Sequence, residues 1–412
     1  MFQRFLLSAL FGLSLLHANV ALGWWNEDWV NRNRIVVDTG AAGTDTRNGL
    51  AQVPVLVRLH TGNFAFLDSK LDGSDLRAIA SDDRTPLKFH IEKWDGLNEL
   101  AFVWVQVPVV APGTPAEFFL YSGNDEAVGA EDTAGSWDAS QVLAYHFAEG
   151  ETAPVDKTGN ANRVAEFTGL PNNQSLINGG LSFDGGGGMV IAQSATLNFS
   201  NAGFTFSAWV KTGGEQSDAI LFGQSVGATP ITLGIDGLTP YLRVGAQNPV
   251  AGAQLSPGSW HHVAATVSDR AVVYIDGQEV ASGPAVMSAS SGAFEVATRF
   301  AGDLDELLIS SVARNDDWIR FAAKCQAAGS LAINLEHTDT TEGGGGHSYV
   351  GILFGSVTVD GWIVIVILMV MMVYSFIIMV GKALFLARTE KANVTFVNAF
   401  KKMGSELTAL HT

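Results

Sequence analysis

The segment from Phe204 to Val210, Phe-Thr-Phe-Ser-Ala-Trp-Val, places apolar side chains on one face and Thr, Ser and Trp on the other. This period of two, together with the aromatic content, is typical of a β-strand. Runs of the same kind lie on both sides of it, at Val142–Phe147, Leu181–Gly185, Ser259–Val267, Val272–Val280 and Gly302–Ile309. Residues 135–335 are therefore predicted to form a domain built mostly of β-strands.

Two local motifs within this domain predict a turn and a helix. Asp276 and Gly277 separate two β-rich runs, and both central positions of a tight hairpin turn favour a positive φ. A hairpin is therefore predicted there. Farther along, Asp316 is predicted to begin a short helix, with an acidic residue available as its N-cap.

The order and spacing of these segments resemble the laminin-G-like, concanavalin-type jelly roll. The matching elements are Phe183–Gly185, Phe204–Val210, Trp260–Ala264, Tyr274–Gly277 and Gly302–Ile309. The resemblance implies a jelly roll. It also implies an alternative function for the chain, that of a free-standing, single-pass carbohydrate-binding or adhesion protein.

Residues 24–130 show the same alternation over a shorter length and are predicted to form a β-sandwich. Its strands are expected at Arg34–Asp38, Val53–Leu59, Ala101–Val107 and Phe118–Tyr121. The segments Leu71–Arg77 and Val103–Pro108 resemble an uncharacterised β domain that often precedes laminin-G-like modules. That family brings no assigned chemistry to this chain.

The N-terminus has the features of a secretory signal peptide, predicted over residues 1–23. Arg4 supplies a positive charge, Phe5 to Leu16 is apolar, and Ala21-Leu22-Gly23 supplies the small residues of a cleavage site. We therefore expect residues 24–361 to lie outside the cytoplasm.

A transmembrane helix is predicted over residues 362–381, which contain no charged side chain. Twenty residues at about 1.5 Å each cover a hydrocarbon core of roughly 30 Å. The flank that follows is basic, with Lys382 and Arg388, so the C-terminus is predicted to be cytoplasmic. Residues 336–348 are interpreted as a Gly-rich linker, 349–361 as a juxtamembrane segment and 382–412 as a cytoplasmic helical tail.

The membrane segment resembles the first transmembrane helix of the ExbB/TolQ/MotA proton-channel family. The resemblance rests on Asp360–Leu368, Lys382–Arg388 and Asn398–Phe400. It implies a homo-oligomer in the bacterial cytoplasmic membrane, its N-terminal ectodomain in the periplasm, with an ExbD/TolR-like partner. The two further helices that line the proton path in that family have no counterpart here. We therefore expect either a fragment of a longer channel subunit or a split form that works with a partner.

Charge and cysteine content narrow the function classes. The formal net charge of −17 argues against a nucleic-acid partner, which requires a basic face. Cys325 is the single cysteine, so no intrachain disulfide can form, and it is expected to be a buried small hydrophobe. The ectodomain must therefore be held together by an apolar core.

Calcium is the only metal that the sequence suggests. Carboxylate oxygens suit Ca²⁺, and the resemblance to laminin-G-like folds implies a calcium site at the rim, for which Asp184 and Asp303 are the predicted ligands. His261 and His262 are adjacent on a strand and point to opposite faces, so they do not chelate one ion together. No other cofactor is predicted.

Two further groups of residues bear on carbohydrate chemistry. Asp303 and Asp305, with the neighbouring Glu306, match the paired carboxylates of glycosidases only in part, so a tethered glycoside hydrolase is a remote alternative. Trp24, Trp25 and Trp29 are expected to fill the edge of a core rather than to stack on sugars.

The favoured prediction is the membrane-anchored, periplasm-facing binding part of an ExbB/TolQ-like proton-driven complex, and not an enzyme. Its expected partners are membrane lipid, copies of itself, the ExbD/TolR-like protein, and a glycan or envelope protein. The predicted fold class is mostly β: a β-sandwich, a concanavalin-like jelly roll, and one transmembrane α-helix that continues into a cytoplasmic helix.

Overall fold

The computed structural model describes residues 24–199, 203–224, 230–287, 290–340 and 359–409. The predicted signal peptide, the linker residues 341–348 and the juxtamembrane residues 349–358 lie outside the described part. The chain divides into two units, one ending at Gly344 and one beginning at Gly345.

The N-terminal domain forms a β-sandwich, as predicted from the alternating pattern. Its first six strands are β1 (Asn31–Val37), β2 (Leu50–His60), β3 (Arg77–Ala80), β4 (Phe89–Asp95), β5 (Leu100–Val110) and β6 (Ala116–Ser122). One sheet has the order β1-β6-β3 and the other β2-β5-β4, with all neighbours antiparallel. Ile35, Val55, Val103 and Phe118 meet in the core between them.

The second domain is the predicted jelly roll. Its strands are β7 (Gln141–Tyr145), β8 (Val164–Phe167), β9 (Leu170–Asn172), β10 (Gly180–Asp184), β11 (Met189–Ile191), β12 (Phe204–Thr212), β13 (Gln216–Gln224), β14 (Ile231–Gly237), β15 (Thr239–Val244), β16 (Val250–Ala251), β17 (His261–Val267), β18 (Arg270–Ile275), β19 (Gln278–Pro284), β20 (Phe294–Thr298) and β21 (Ala301–Ser310).

Two large sheets enclose the jelly-roll core. The eight-stranded sheet has the order β19-β18-β17-β12-β21-β10-β9, with β7 also paired to β21. The seven-stranded sheet has the order β16-β15-β14-β13-β20-β11-β8. Phe206, Phe222 and Phe294 pack between them and are fully buried. The Phe204–Val210 segment thus lies near the centre of the eight-stranded sheet, where its Phe side chains face the core.

Helix α1 (Asp316–Gln326) follows the jelly roll and packs on the N-terminal domain. Its N-cap is Asn315, whose side chain accepts a hydrogen bond from the backbone of Trp318 at 2.8 Å. This corrects the expectation of an acidic cap: Asp316 and Asp317 instead lie in the first turn, where their charge complements the helix dipole. Cys325 is buried in the same core, as expected.

Strand β22 (Ile333–Thr340) corrects two predicted boundaries. It pairs antiparallel with β1, from Val37↔Ile333 to Asn31↔Thr340, and completes a four-stranded sheet of order β22-β1-β6-β3. Residues 336–340, predicted as the start of a linker, therefore belong to a strand. Residues 333–335, predicted to end the jelly roll, belong to the N-terminal domain. The physical reason is the exposed edge of β1, whose hydrogen-bonding groups β22 satisfies.

The two β domains also share buried contacts beyond β22. Ala264, Val272 and Tyr274, on the outer face of the eight-stranded sheet, lie in the same apolar cluster as helix α1 and the N-terminal core. On the outer face of the three-stranded sheet, Leu56 and Trp104 pack against Ile177 of the jelly roll. The first domain therefore covers part of the eight-stranded sheet.

The predicted hairpin between β18 and β19 is present, with φ of 51° at Asp276 and 77° at Gly277.

We predict that Gly277→Ala lowers the free energy of unfolding by about 2–4 kcal/mol, because a Cβ there would lie 2.8 Å from Cα of Arg320 in α1. Gly258 has nearly the same φ, 73°, with no atom within 4 Å. The matched Gly258→Ala variant isolates the backbone cost of about 1 kcal/mol. If urea denaturation shows that Gly277→Ala and Gly258→Ala lose the same free energy of unfolding, the predicted clash with Arg320 is contradicted.

The second unit contains helix α2 (Val359–Ala409), which is continuous over 51 residues. Within the described residues, one helix is long and apolar enough to cross a membrane, over Ile367–Lys401. The single apolar C-terminal helix of the predicted fold class is therefore present. It runs without interruption through residues 382–409 of the predicted helical tail, whose last three residues, 410–412, lie outside the described part.

Candidate functional site

A buried polar cluster lies where the two β domains meet. It consists of His90 and Glu92 on β4, Ser136 in the connection before β7, and His146 and Glu306 of the jelly roll; these five residues are called the interface cluster. The side chains of Glu92, His146 and Glu306 are at most 1% exposed. Buried ionisable groups are uncommon without a partner or a bound ion, so the cluster is the candidate site.

Irregular backbone directs the carboxylates of Glu92 and Glu306 toward the junction of the two domains. The register of β4 on β5 shifts between Ile91 and Lys93, so that Glu92 is the extra residue of a β-bulge. On β21, the pairing passes from β10 at Leu304 to β7 at Leu307, and Glu306 lies between with φ of 50°. A positive φ at a non-glycine residue is strained, and bulges of this kind often redirect a side chain at functional sites.

A chain of short hydrogen-bond contacts connects the cluster. Nδ1 of His90 lies 2.7 Å from the hydroxyl of Ser136, and Nε2 of His90 lies 3.0 Å from Nε2 of His146. Nδ1 of His146 lies 2.8 Å from each carboxylate oxygen of Glu306 and 3.6 Å from Oε2 of Glu92. The three groups Glu92, His146 and Glu306 thus converge on one point.

Burial dominates the electrostatics of the cluster. It raises the pKa of Glu92 to about 8 and raises the pKa of Glu306 well above its usual range. The same loss of water lowers the pKa of His90 and His146. Each shift disfavours the charged form, because charge is costly to remove from water.

Two neighbours complete the surroundings. The indole of Trp104 donates to Oε2 of Glu92 at 2.8 Å, whereas Oε1 of Glu92 is buried and has no hydrogen-bond partner among the described residues. Arg58 is the nearby cation: burial lowers its pKa, while Glu92, Glu306 and Asp305 act in the opposite direction. Its guanidinium donates to the carbonyl of Gln326 in α1 at 2.8 Å.

Glu92, His146 and Glu306 each offer one ligand atom, and these atoms lie within 4.8 Å of one another. The arrangement is able to hold a cation, either a proton or a metal ion. Of these residues, Glu306 alone is conspicuous in the sequence, as the neighbour of Asp303 and Asp305. His90 and His146 were detectable as single polar residues in apolar strands, but nothing in the pattern placed them together.

The predicted calcium residues lie on neighbouring strands of the jelly roll, with Asp303 opposite Ser182 and Asp184 opposite Ala301. The carboxylate of Asp303 accepts from the hydroxyl of Ser182 at 2.5 Å and pairs with Lys211 at 2.6 Å. Asp184 is exposed and accepts from the backbone of Gly186 at 2.8 Å. Both carboxylates therefore have local partners, and calcium binding stays a prediction.

Asp305, the residue considered for glycosidase chemistry, is buried beside the interface cluster. Its Oδ2 accepts from the hydroxyl of Ser175 at 2.7 Å and from the backbone of Ile177 at 2.8 Å. The carboxylate of Asp305 thus holds the loop before β10 and is separated from solvent.

The other candidate residues are placed as follows. Trp29 is buried, and Trp24 and Trp25 pack half-buried against Tyr121. They fill the edge of a small core, as expected. His261 pairs with Asp276 at 2.8 Å, whereas His262 lies against Trp209 at a ring separation of 5.4 Å, so the two imidazoles have different surroundings.

His262 predicts an acid-dependent loss of stability. Burial lowers its pKa to about 4, opposed by Asp276, and neither ring nitrogen has a hydrogen-bond partner among the described residues. An unfolded histidine titrates near 6.5, so between about pH 6.5 and pH 4 the unfolded state binds a proton that the folded state does not. Stability should therefore fall as the pH falls through this window, by about 3 kcal/mol at pH 4.

Urea unfolding of the wild type and of His262→Leu from pH 7.5 to pH 4 measures this contribution. The variant should lose less stability over the window. His261→Leu is the matched control, because the hydrogen bond with Asp276 raises the pKa of His261 instead. Parallel pH profiles for the wild type and His262→Leu would show that His262 does not contribute.

Two family models match the chain. Residues 184–320 match the concanavalin A-like lectin/glucanases superfamily, and residues 72–161 match a domain of unknown function, DUF2341. The second match includes His90, Glu92 and His146, and the first includes Glu306, so the interface cluster draws on both. No curated protein sequence matches the chain significantly.

Several solved structures are similar in part. The binding domain of Paraclostridial Mosquitocidal Protein 1 shares 14% identity over 45% of this chain and 52% of that one, with a TM-score of 0.39. Domain 4 of AbnA, a GH43 extracellular arabinanase from Geobacillus stearothermophilus, shares 23% identity over 45% of this chain and 98% of that one, with a TM-score of 0.38. Trypanosoma rangeli sialidase shares 16% identity over 60% of this chain and 44% of that one, with a TM-score of 0.39.

This chain therefore spans about half the length of the first of these structures. The family match over residues 184–320 and the two packed sheets agree on the architecture of the second domain. The chain is mostly β and carries a concanavalin-like jelly-roll domain.

Proposed function

We propose that this chain is a membrane-anchored binding protein of the cell envelope, whose two β domains act outside the cytoplasm. The observation that carries the proposal is the combination of one compact β unit with one apolar helix able to cross a membrane, Ile367–Lys401. The β unit is closed by the pairing of β22 with β1, and the apolar helix lies farther along the chain. Such a chain holds a ligand at the membrane surface.

Carbohydrate is the proposed ligand class, and the jelly roll is the proposed binding domain. Every aromatic ring of the described ectodomain is buried or half-buried, so a fully exposed stacking platform is absent from residues 24–199, 203–224, 230–287 and 290–340. The best remaining surface is a patch formed by Trp260, Lys211, Asp303 and Ser182, called the rim patch. It combines a half-buried indole with hydrogen-bonding side chains that suit sugar hydroxyls.

The geometry of the rim patch supports this assignment. Nζ of Lys211 lies 5.2 Å from the ring centre of Trp260 and 2.6 Å from Oδ2 of Asp303. The Lys211 and Asp303 side chains are 29% and 15% exposed, so both are accessible in part. The ammonium of Lys211 occupies the cation position beside Asp303, and a calcium ion would compete with it.

A glycan array probed with the full-length chain in detergent tests the proposal. Binding should be lost in Trp260→Ala and weakened in Lys211→Ala, and retained in Arg299→Ala, which changes an exposed arginine elsewhere on the jelly roll. Loss of binding with EDTA that added Ca²⁺ reverses and added Zn²⁺ does not would support the predicted calcium at Asp184 and Asp303. An array without binding would count against carbohydrate and favour a protein ligand.

The proposed role is binding rather than catalysis. Asp305 is fully buried and already accepts two hydrogen bonds, which supports a structural role for this carboxylate. Glycoside hydrolysis that disappears in Asp305→Asn would overturn this part of the proposal.

A second candidate is a subunit of an ExbB/TolQ-like complex in the bacterial cytoplasmic membrane, with the ectodomain in the periplasm. It is favoured by the length of α2, because 51 residues extend roughly 75 Å and exceed a hydrocarbon core of about 30 Å. Such a helix reaches well beyond the bilayer. Purification in a mild detergent should then yield an oligomer with an ExbD/TolR-like partner, and a monomer without partners would contradict it.

A further inference from the structure

The interface cluster contains a histidine whose proton positions follow from its neighbours. The hydroxyl of Ser136 donates its one proton to the carbonyl of Thr133 at 2.7 Å. It must therefore accept from Nδ1–H of His90. A neutral His90 then offers a lone pair at Nε2, which accepts from Nε2–H of His146.

This chain of donors leaves a lone pair at Nδ1 of His146. That lone pair faces both oxygens of Glu306 at 2.8 Å and Oε2 of Glu92 at 3.6 Å. Acceptors that face one another at these distances repel unless a cation lies among them. The site is therefore built to hold a cation.

We propose that Glu92, His146 and Glu306 bind one divalent transition-metal ion of the Zn²⁺ class at the junction of the two β domains. One imidazole nitrogen and two carboxylates suit Zn²⁺, whereas Ca²⁺ prefers an all-oxygen set. The buried Oε1 of Glu92, without a partner among the described residues, supplies a free ligand atom.

The residues around the ligands have the arrangement that supports a metal site. A metal-binding histidine normally donates its second ring N–H to a neighbour, and His146 donates to His90. A metal-binding carboxylate is normally held by a hydrogen bond, and Trp104 donates to Glu92 at 2.8 Å. The positive φ of Glu306 and the bulge at Glu92 point both carboxylates to the same place.

The proposed ion would join two domains through residues that are distant in sequence. Glu92 comes from the N-terminal domain, whereas His146 and Glu306 come from the jelly roll. Two carboxylates also neutralise a divalent charge, which removes the cost of burying them unpaired. Metal binding should therefore stabilise the junction of the domains, independently of any glycan at the rim patch.

The test uses the full-length chain, purified in detergent without chelators. Elemental analysis should find about one equivalent of metal per chain in the wild type and none in Glu306→Gln, which keeps the side-chain shape. Asp305→Asn is the matched control: it removes a neighbouring buried carboxylate outside the ligand set and should keep the metal. After chelation, Zn²⁺ should raise Tm by about 5–10 °C at a large excess over Kd, and Ca²⁺ should not.

A wild-type chain that carries no metal and whose Tm does not respond to Zn²⁺ would overturn the proposal and assign the site to a shared proton. If Glu306→Gln does not fold, Co²⁺ added to chelated wild type decides the matter. Visible absorption bands of bound, low-coordinate Co²⁺ support the site, and their absence overturns it.

Discussion

A fragment of residues 24–340 should fold with one cooperative transition, whereas the fragment 24–332 should aggregate or melt at least about 10 °C lower. The shorter fragment lacks β22, which pairs with β1 from Ile333 to Thr340. Its loss exposes the edge of β1 and uncovers the core contacts of Ile333 and Leu335. Several kcal/mol of unfolding free energy should be lost, which for a unit of this size is a large shift in Tm.

Circular dichroism melts and size-exclusion chromatography measure this effect. A fragment of residues 24–130, the boundary predicted from sequence, should behave worse still, because it lacks β22, α1 and the jelly-roll residues that cover its outer face. A fragment 24–332 that melts within a few degrees of 24–340 would show that β22 is dispensable for the N-terminal domain.

Arg58→Met should lower the free energy of unfolding by about 2–4 kcal/mol. Arg58 is mostly buried, donates to the carbonyl of Gln326 at 2.8 Å, and stacks over Phe102 at 5.7 Å. Burial lowers the pKa of Arg58, while Glu92, Glu306 and Asp305 act in the opposite direction. Methionine keeps much of the apolar contact but leaves the buried carbonyl of Gln326 without its donor.

Chemical denaturation at neutral pH provides the measurement. Arg84→Met is the matched control, because it makes the same change at an exposed arginine and should alter stability by no more than about 0.5 kcal/mol. If Arg58→Met and Arg84→Met lower the free energy of unfolding equally, the buried guanidinium of Arg58 does not stabilise the junction of the two domains.

Local patterns in the sequence were enough to predict most of the jelly roll. The alternation in Phe204–Val210 predicts a strand, although both of its faces are buried in the structure, and the Asp276-Gly277 pair determines its turn with positive φ at both positions. These features depend on neighbours in sequence. The spacing of the segments then supplied the architecture through a family resemblance.

Contacts between distant segments were not predictable in the same way. The run Ile333-Asn334-Leu335 alternates, but nothing in the sequence indicates that it pairs with β1. Arg34 and Glu336 form an ion pair across the two strands although they are 302 positions apart in sequence. Strand β5 gave a clearer indication. Phe102 and Trp104 lie on the face of β5 opposite the N-terminal core, and apolar residues on both faces indicate a strand buried on both sides.

The interface cluster was missed for a similar reason. Bulges at Glu92 and Glu306 break the period of two, so alternation assigns these carboxylates to the wrong environment. His90 and His146 become meaningful only when two domains bring them to a separation of 3.0 Å. Such a site depends on tertiary structure and leaves almost no trace in a single sequence.

The pairing of β1 with β22 also determines the order in which the protein matures. Synthesis proceeds at about 5–20 residues per second, so the 302 residues between Arg34 and Glu336 take roughly 15–60 s to follow. During that time the N-terminal sheet has an open edge and an uncovered outer face. The domain that emerges first is therefore the last to be completed, and the edge of β1 stays open to mispairing until β22 has followed.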